Sequence, residues 1–382
     1  MNGKTSPFKL TLILLTVFLL CSCVENNQIE KVGIINARGL DALKNDLIES
    51  TLVIYQFSSE SDSISKIRSG TGYTIKGSLE DTERNTSFRL VPGKVRLEMY
   101  GREIAEKGIM PYLDTIIRDA QMSDVMYLTI SDTTAKEIFS TDTKTISKDV
   151  GQFLFELIEN QSKSHTVQRK NLQDFLRIFY EVGQDNVLPI FEMHQGLPRQ
   201  KNIGILQDDQ LVGEIGNDES LLINLVNSKI KRHLVEFRLP LEPFINYLDK
   251  RIEQHQYEVL HTAFRVEKSR SKSKLIDQQN LIFQTDIKIK MRLLEQSEGI
   301  IIRNDDVLQL LEKEVEKNIK LKLETLLSKL QDFNSDPFGY GRYYRIHQKD
   351  GELSKEQWRE MFPDIKVNFN IDVDIMRYGI IE

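Results

Sequence analysis

Six histidines, two cysteines and 57 acidic side chains are among the groups in this 382-residue chain able to ligate metals, attack carbonyls or carry protons. The histidines are His165, His194, His233, His255, His261 and His347. None stands four residues from another, and none belongs to a His-Glu-x-x-His arrangement, so the spacing offers no helical zinc site. A Gly-x-Ser-x-Gly turn is absent as well, which removes the usual marker of an α/β-hydrolase nucleophile. In Gly72-Tyr-Thr-Ile-Lys-Gly77-Ser78 the second glycine lacks the Lys and Ser/Thr that must follow it in a phosphate loop. Gly70-Thr-Gly72 lacks the third glycine of a dinucleotide fingerprint, and both stretches read as turns. Carboxylates can still pair in space, but spacing alone does not separate a catalytic dyad from a solvated surface. The chemistry-bearing residues therefore offer no catalytic motif and no metal-ligand set, although scattered ligands can still assemble in space.

The cysteines are more informative. Lys4 and Lys9 precede an apolar run from Leu10 to Leu20, broken only by Thr11 and Thr16. Eleven helical residues rise ~16 Å, about half the hydrocarbon core, so the run is too short to span a bilayer. A charged start and an apolar middle fit a secretory signal. The run closes on Leu20-Cys21-Ser22-Cys23, which resembles a bacterial lipobox. In that reading cleavage follows Ser22 and a diacylglycerol is attached to the Cys23 thiol. Cys21 suits the role less well, because Leu19 and Leu20 would then precede the acceptor. A plain secretory signal or a signal anchor is the alternative. No cysteine follows Cys23, which excludes a disulfide framework and a cysteine zinc site from the processed chain.

Removing residues 1–22 discards two lysines and no acid, so 49 basic against 57 acidic residues would leave a net charge of −8. That balance argues against a nucleic-acid binder driven by counterion release. It also argues against a second, electrostatic membrane signal. One local exception is Lys268-Ser-Arg270-Ser-Lys272-Ser-Lys274, which reads as a solvated loop or edge strand, or else as a lipid-facing patch.

Length predicts two or three domains. We expect an N-terminal α/β domain over residues 23–199 and a C-terminal domain over 200–382, after the 1–22 signal peptide. Strands are expected at Glu49–Phe57, around Val95, Leu97 and Met99, and at Val125–Ile130. Helices are expected at Gly101–Lys107, Pro111–Ala120, Thr133–Phe139, Val150–Asn160 and Asn171–Tyr180, with Asp132 capping the third and Asn171 the last. Past the boundary, Ile203–Leu206 and Gln210–Ile215 form a hairpin candidate turning at Asp208-Asp209, and a helix runs from Glu219 to about Lys231.

Two stretches alternate strictly, Phe283 to Leu293 and Ile365 to Ile375, each predicting a long strand with one buried face. Between them Val307, Leu311, Val315, Ile319, Leu323, Leu326 and Leu330 step by four or three. These predict a long helix over about 305–330 with Asn304 as its cap, ended by Ser335-Asp-Pro-Phe-Gly339. The fold class is α/β or α+β, a multi-subdomain ectodomain of mixed or antiparallel sheets packed by helices.

Two polar glycine-bearing stretches flank apolar elements. Gly183-Gln-Asp185-Asn-Val-Leu-Pro189-Ile joins a helix to a strand. Asp336-Pro-Phe338-Gly-Tyr340-Gly-Arg342-Tyr343-Tyr344-Arg345 concentrates aromatics and arginines. Phe338, Tyr340, Arg342, Tyr343, Tyr344 and Arg345 make a candidate interaction patch, since such residues anchor interfaces. The alternative is a turn whose aromatics fold back onto the sheet.

These residues together resemble the Ger(x)C family, the lipoprotein C subunits of bacterial spore germinant receptors. The resemblance begins at Cys23 and runs through Ile29-Glu30-Lys-Val-Gly33-Ile-Ile-Asn-Ala-Arg-Gly39-Leu-Asp41. It continues in Leu90-Val-Pro-Gly93, Ser131-Asp-Thr-Thr-Ala-Lys136, the Leu172–Tyr180 helix and Asn186-Val-Leu-Pro-Ile-Phe191. In the second half it covers Leu239-Pro-Leu-Glu-Pro243, Asn334-Ser-Asp-Pro-Phe-Gly339 and the Trp358–Val373 end. Many relatives have Trp and Asp after the lipid-bearing cysteine, where this chain has Val24 and Glu25. The resemblance implies an α/β fold of several subdomains, no enzymatic activity and no cofactor beyond the lipid on Cys23. It also implies a place on the outer face of the inner spore membrane, beside two polytopic partners, the A and B subunits, in a complex that senses amino acids or sugars. A solute-binding lipoprotein of a transporter, with a cleft between two lobes near residue 200, is the alternative. An anchored hydrolase with a site not visible in the sequence is a third.

Overall fold

The computed structural model describes residues 31–376, apart from 57–64, 93–94, 120–122, 124, 142–145, 147–148, 164–169, 228, 250–257, 302–304 and 349–350. The signal segment 1–22, Cys23, the expected cap Asn304 and the histidines His165 and His255 lie outside the described residues.

The first half builds a mixed sheet. Strand β1 (Val32–Ala42) pairs antiparallel with β2 (Ile48–Gln56), and β2 with β3 (Ser65–Gly72). Helix α1 (Ile75–Arg84) leads to the short β4 (Arg89–Val91), parallel to the start of β1. Next, β5 (Leu97–Tyr100) pairs in parallel with β1, and after α2 (Arg102–Lys107) and α3 (Met110–Ile117), β6 (Tyr127–Ser131) pairs in parallel with β5. Helices α4 (Ala135–Phe139), α5 (Val150–Lys163) and α6 (Leu172–Tyr180) precede β7 (Val187–His194), β8 (Leu197–Gln207) and β9 (Gln210–Ile215). The strand order is β3-β2-β1-β5-β6-β7-β8-β9.

Both faces of this sheet are covered. Leu40, Leu52, Leu128 and Ile190 pack in one cluster with Ile104, Leu113 and Phe175 of α2, α3 and α6. Ala37, Leu97 and Met99 pack in another with Ala135 and Phe139 of α4 and Val150 and Leu154 of α5. Covering both faces explains why β5 departs from the half-buried strand that its alternation predicts. All four of its residues are buried, and Glu98 escapes an unpaired burial only through Arg38 on β1. The Arg38 Nε lies 3.0 Å from each Glu98 carboxylate oxygen, between the rows of Leu52 and Leu128.

Two local readings change. Thr134 caps α4, its side chain accepting the Glu137 N–H, whereas the Asp132 carboxylate is engaged by Arg102 and Lys201. Asn171 does cap α6, accepting the Asp174 N–H at 2.8 Å.

The expected domain boundary at 199/200 falls inside β8. That strand pairs antiparallel with β7 from Val187↔Ile205 to His194↔Leu197, so cutting there would unzip a hairpin of the first sheet. The strand-level division comes after Ile215. Even there the apolar interior is shared, since Val187, Ile203, Ile205 and Ile215 belong to the same buried cluster as the second half.

After α7 (Asn217–Asn227), the second sheet runs β10 (His233–Pro240), β11 (Val259–Asp277), β12 (Ile282–Gln296) and β13 (Lys366–Met376) in that spatial order. The first two pairings are antiparallel, and β12 and β13 are parallel. Between them lies α8 (Asp305–Asp332), whose 28 residues rise ~42 Å. Its buried stripe is Val307, Leu311, Val315, Ile319, Leu323, Leu326, Leu327 and Leu330. Asp305 and Asp306 in its first turn complement the positive end of the helix dipole.

This helix also reaches the sheet margins. Glu316 and Glu312 accept the backbone N–H groups of Val373 and Ile375, each at 2.9 Å, and Asn318 donates to the Arg238 carbonyl of β10 at 3.3 Å. Short helices α9 (Tyr340–Ile346) and α10 (Lys355–Met361) complete the half. No helix among the described residues is long and apolar enough to cross a membrane.

Candidate functional site

The two polar stretches singled out by sequence meet where the halves join. Gly183-Gln-Asp185 leaves α6 for β7, and Asn334-Ser-Asp336 leaves α8 for α9. Both are turns because each must reverse direction beside a buried sheet, and each carries a carboxylate into that junction.

Asp185 and Asp336 are tied reciprocally. The Asp185 N–H donates to the Asp336 carbonyl at 3.0 Å, and the Asp336 N–H donates to Asp185 Oδ2 at 2.6 Å. Arg359 of α10 clamps Asp185 in bidentate fashion: Nη1 donates to Oδ2 at 2.5 Å and Nη2 to Oδ1. The same Nη1 donates to the Asn334 carbonyl at 3.0 Å. Asp185, 174 residues from Arg359, and the Asn334 turn, 25 residues from it, thus share one guanidinium. Burial lowers the Arg359 pKa, but the hydrogen bond and charge of Asp185 outweigh it, so the group stays charged.

Asp336 organises the turn that follows it. Its Oδ1 accepts the Gly339 N–H at 2.8 Å, while Oδ2 accepts the Gly341 N–H at 3.0 Å and the Trp358 indole N–H at 3.2 Å. Burial pushes its pKa up to about 7. The Gly341 N–H opposes this, the Asp185 charge adds to it, and the Gly339 N–H and Arg359 oppose it again. Around this core, Ser335 Oγ donates to the Leu206 carbonyl at 2.6 Å, and Gln207 Nε2 to the Asn334 carbonyl at 3.0 Å. Lys355 Nζ donates to Asp208 Oδ1 at 2.7 Å. The β8–β9 turn is thereby bound to the second half.

Backbone crossing sets the remaining geometry. Gly183 has φ +94° and lies against Gly341, and a Cβ on it would sit 2.3 Å from the Gly341 carbonyl carbon. Gly183→Ala combines that clash with an unfavourable left-handed conformation, so a loss of roughly 2–4 kcal/mol is expected. Urea unfolding monitored by circular dichroism checks it; an unshifted midpoint would show that the segments do not cross this closely.

The expected interaction patch is largely interior. Phe338 and Tyr340 are 1% and 0% exposed, and Tyr344 is buried too. The Tyr340 ring lies 5.2 Å from that of Phe283 of β12, tilted by 51°, and its hydroxyl shares a 2.8 Å hydrogen bond with Thr285, while Tyr344 lies 5.9 Å from Trp358. The aromatics fold back onto the sheet because Asp336 curls the turn inward. Arg342, Tyr343 and Arg345 are only partly buried, and Arg345 Nη2 donates to Glu181 at 3.2 Å.

Both carboxylates at this junction are engaged by other parts of the chain, while Arg359 Nε and Asn334 Oδ1 are buried without a hydrogen-bond partner. Its chemistry is that of a clasp, which fixes the two halves against each other. Sequence reading picked out Asp185 and Asp336 as parts of polar turns. Arg359 carries no such signal in the sequence, although the neighbouring Trp358 is the only tryptophan in the chain.

Residues 25–193 match the family model described as the spore germination protein N-terminal domain, and residues 201–379 match the spore germination B3/GerAC-like C-terminal model. The chain is 20% identical over 371 residues to the spore germination protein GerQC of Bacillus cereus, covering 97% of this chain and 98% of that one. It is 21% identical over 391 residues to the putative spore germination protein YfkR of Bacillus subtilis (strain 168), covering 99% and 98%. Among solved structures it resembles the crystal structure of the GerBC protein. The TM-score is 0.53 at 16% identity, over 92% of this chain and all of that one, a likeness in fold.

Proposed function

Because the chain belongs to the Ger(x)C family of spore germination proteins, we propose that it serves as the lipid-anchored, non-catalytic C subunit of a nutrient germinant receptor, required for germination in response to amino acids or sugars. The supporting observation is the pair of family matches, which together span residues 25–379 and begin two residues after the lipobox Cys23. In this reading a diacylglycerol on Cys23 holds the globular remainder at the outer face of the inner spore membrane. Two acyl chains anchor stably where one would not. Confinement to the bilayer surface raises the effective concentration for the polytopic A and B subunits. The clasp then has a mechanical role: a subunit that works by contact must present its surfaces in a fixed mutual orientation.

Three measurements test the proposal. Cys23→Ala should abolish metabolic labelling by fatty acid and release the chain from spore membranes; labelling at the wild-type level would overturn the anchor. Affinity purification of the detergent-solubilised, lipidated chain should recover polytopic membrane subunits. Spores lacking the chain that respond to every amino acid and sugar at the wild-type rate would overturn the receptor role.

A further inference from the structure

The four cations of the Lys268–Lys274 run lie at alternate positions of β11, all exposed and all directed to the face opposite the helices. Strand β10 stops pairing at His233↔Val266, so the second part of β11 has β12 on one side only. On its free side the Ser269 N–H donates to the Ile230 carbonyl at 2.9 Å. Antiparallel alternation then turns the N–H groups of Ser271, Ser273 and Leu275 to the same side. Among the described residues none of these three has a backbone partner there, and no ion pair engages Lys268, Arg270, Lys272 or Lys274.

We infer that this edge of β11 is a docking site for an extended acidic segment of a partner protein, added as a strand with Asp or Glu at alternate positions. The inference does not depend on the germinant-receptor reading. Two matched periodicities carry it. Successive cations are two residues apart, ~6.8 Å along the strand, the same repeat that an extended segment gives its own side chains. The outward N–H groups supply ladder bonds along the same stretch.

Charge distribution favours a strand over an anionic lipid surface. The β12 lysines are already neutralised, Lys288 by Asp372 at 2.7 Å and Lys290 by Asp374 at 3.1 Å. A flat anionic plane laid on this face would meet those two carboxylates about 10 Å from the β11 cations, two strand spacings away. A single segment beside β11 lies on the far side of the cations from those carboxylates, and also from Asp286 of β12, which stands opposite Lys272 and accepts hydrogen bonds from Gln284 and Asn370.

The test uses the full lipidated chain in detergent. Its probes are a fluorescent ten-residue peptide of alternating Thr and Glu, the same residues with the glutamates in one block, and phosphatidylglycerol vesicles. The alternating peptide should bind saturably, and more tightly than the blocked one. Arg270→Glu combined with Lys272→Glu should weaken it about tenfold or more. Ser271→Pro keeps all four cations but removes an outward N–H at an edge position that tolerates proline, and it should weaken binding severalfold. Equal binding of both peptides, or an unaffected Ser271→Pro variant of normal circular dichroism, would reduce the site to unspecific charge and overturn the proposal. Without peptide binding, vesicle binding that Arg270→Glu with Lys272→Glu lowers would overturn it in favour of a membrane surface, since the lipid anchor alone binds vesicles in both forms, and so would no peptide binding at all.

Discussion

Arg359→Ala is expected to lower the unfolding free energy by about 3–5 kcal/mol, because it strands the Asp185 carboxylate in a buried junction. The Asp185 side chain is 3% exposed, and its two oxygens receive the Arg359 fork, the Asp336 N–H at 2.6 Å and the Asp208 N–H at 3.3 Å. Backbone donors alone do not neutralise the charge. The variant also loses the bond to the Asn334 carbonyl, which loosens the end of α8. A double-mutant cycle separates the pair from the general cost of truncation. Arg359→Leu with Asp185→Asn removes both charges, so it should be less destabilised than the sum of the single changes by 1 kcal/mol or more, roughly. Urea unfolding with intrinsic tryptophan emission reads this directly, since Trp358 is the only indole and sits on the clasp. A single-variant cost under about 1 kcal/mol would mean that the bidentate contact is not formed in solution.

Arg38→Met should cost a similar ~3–5 kcal/mol at neutral pH, and its cost should shrink in acid. Glu98 is wholly buried, and burial raises its pKa against the opposing charge and hydrogen bond of Arg38. A carboxyl whose folded pKa is raised contributes stability that is fully present below its unfolded pKa and is lost as pH rises through the folded value. Removing Arg38 takes away the influences that hold the pKa down, so the variant is penalised most where Glu98 must ionise. Unfolding at pH 4.5 and pH 8 should therefore show the larger destabilisation at pH 8. Arg38→Met with Glu98→Leu should recover most of the loss, because an apolar pair fits between Leu52 and Leu128. Equal costs at both pH values would indicate that water reaches Glu98.

These two pairs mark the limit of what the chain reveals by itself. Periodicity made α8 legible, since Val307 to Leu330 recur at helical spacing over seven turns, and it made β12 and β13 legible through alternation over eleven or more residues. The β8–β9 hairpin was legible from its polar turn at Asp208-Asp209. Such signals are local, because a face is defined within one element. Partners are not. Asp185 and Arg359 stand 174 positions apart and Arg38 and Glu98 60 apart, and nothing in either neighbourhood encodes the other. Glu98 between Leu97 and Met99 imitates the wet face of a half-buried strand, and only the layer of helices above it shows otherwise. Tyr340 and Tyr344 misled in the opposite direction. Aromatics beside arginines look like an interface until the Asp336 turn is seen to point them inward. The boundary expected near residue 200 coincides with the gap between the two family models, at 193 and 201, while the β7–β8 pairing carries the first sheet past it, because a hairpin can belong to the sheet behind it.

The carboxylates of Glu312 and Glu316 on β13, with Asn318 touching β10, have a consequence for valency. Sheets with two bare margins can add copies at both ends and grow without limit into fibres. Here one helix occupies two donors of the β13 margin, the Val373 and Ile375 N–H groups, and one acceptor of the β10 margin, the Arg238 carbonyl, which leaves both margins less open to a further strand. Whatever pairs with the cationic stretch of β11 does so once. A complex formed through that stretch would therefore hold one added strand per chain.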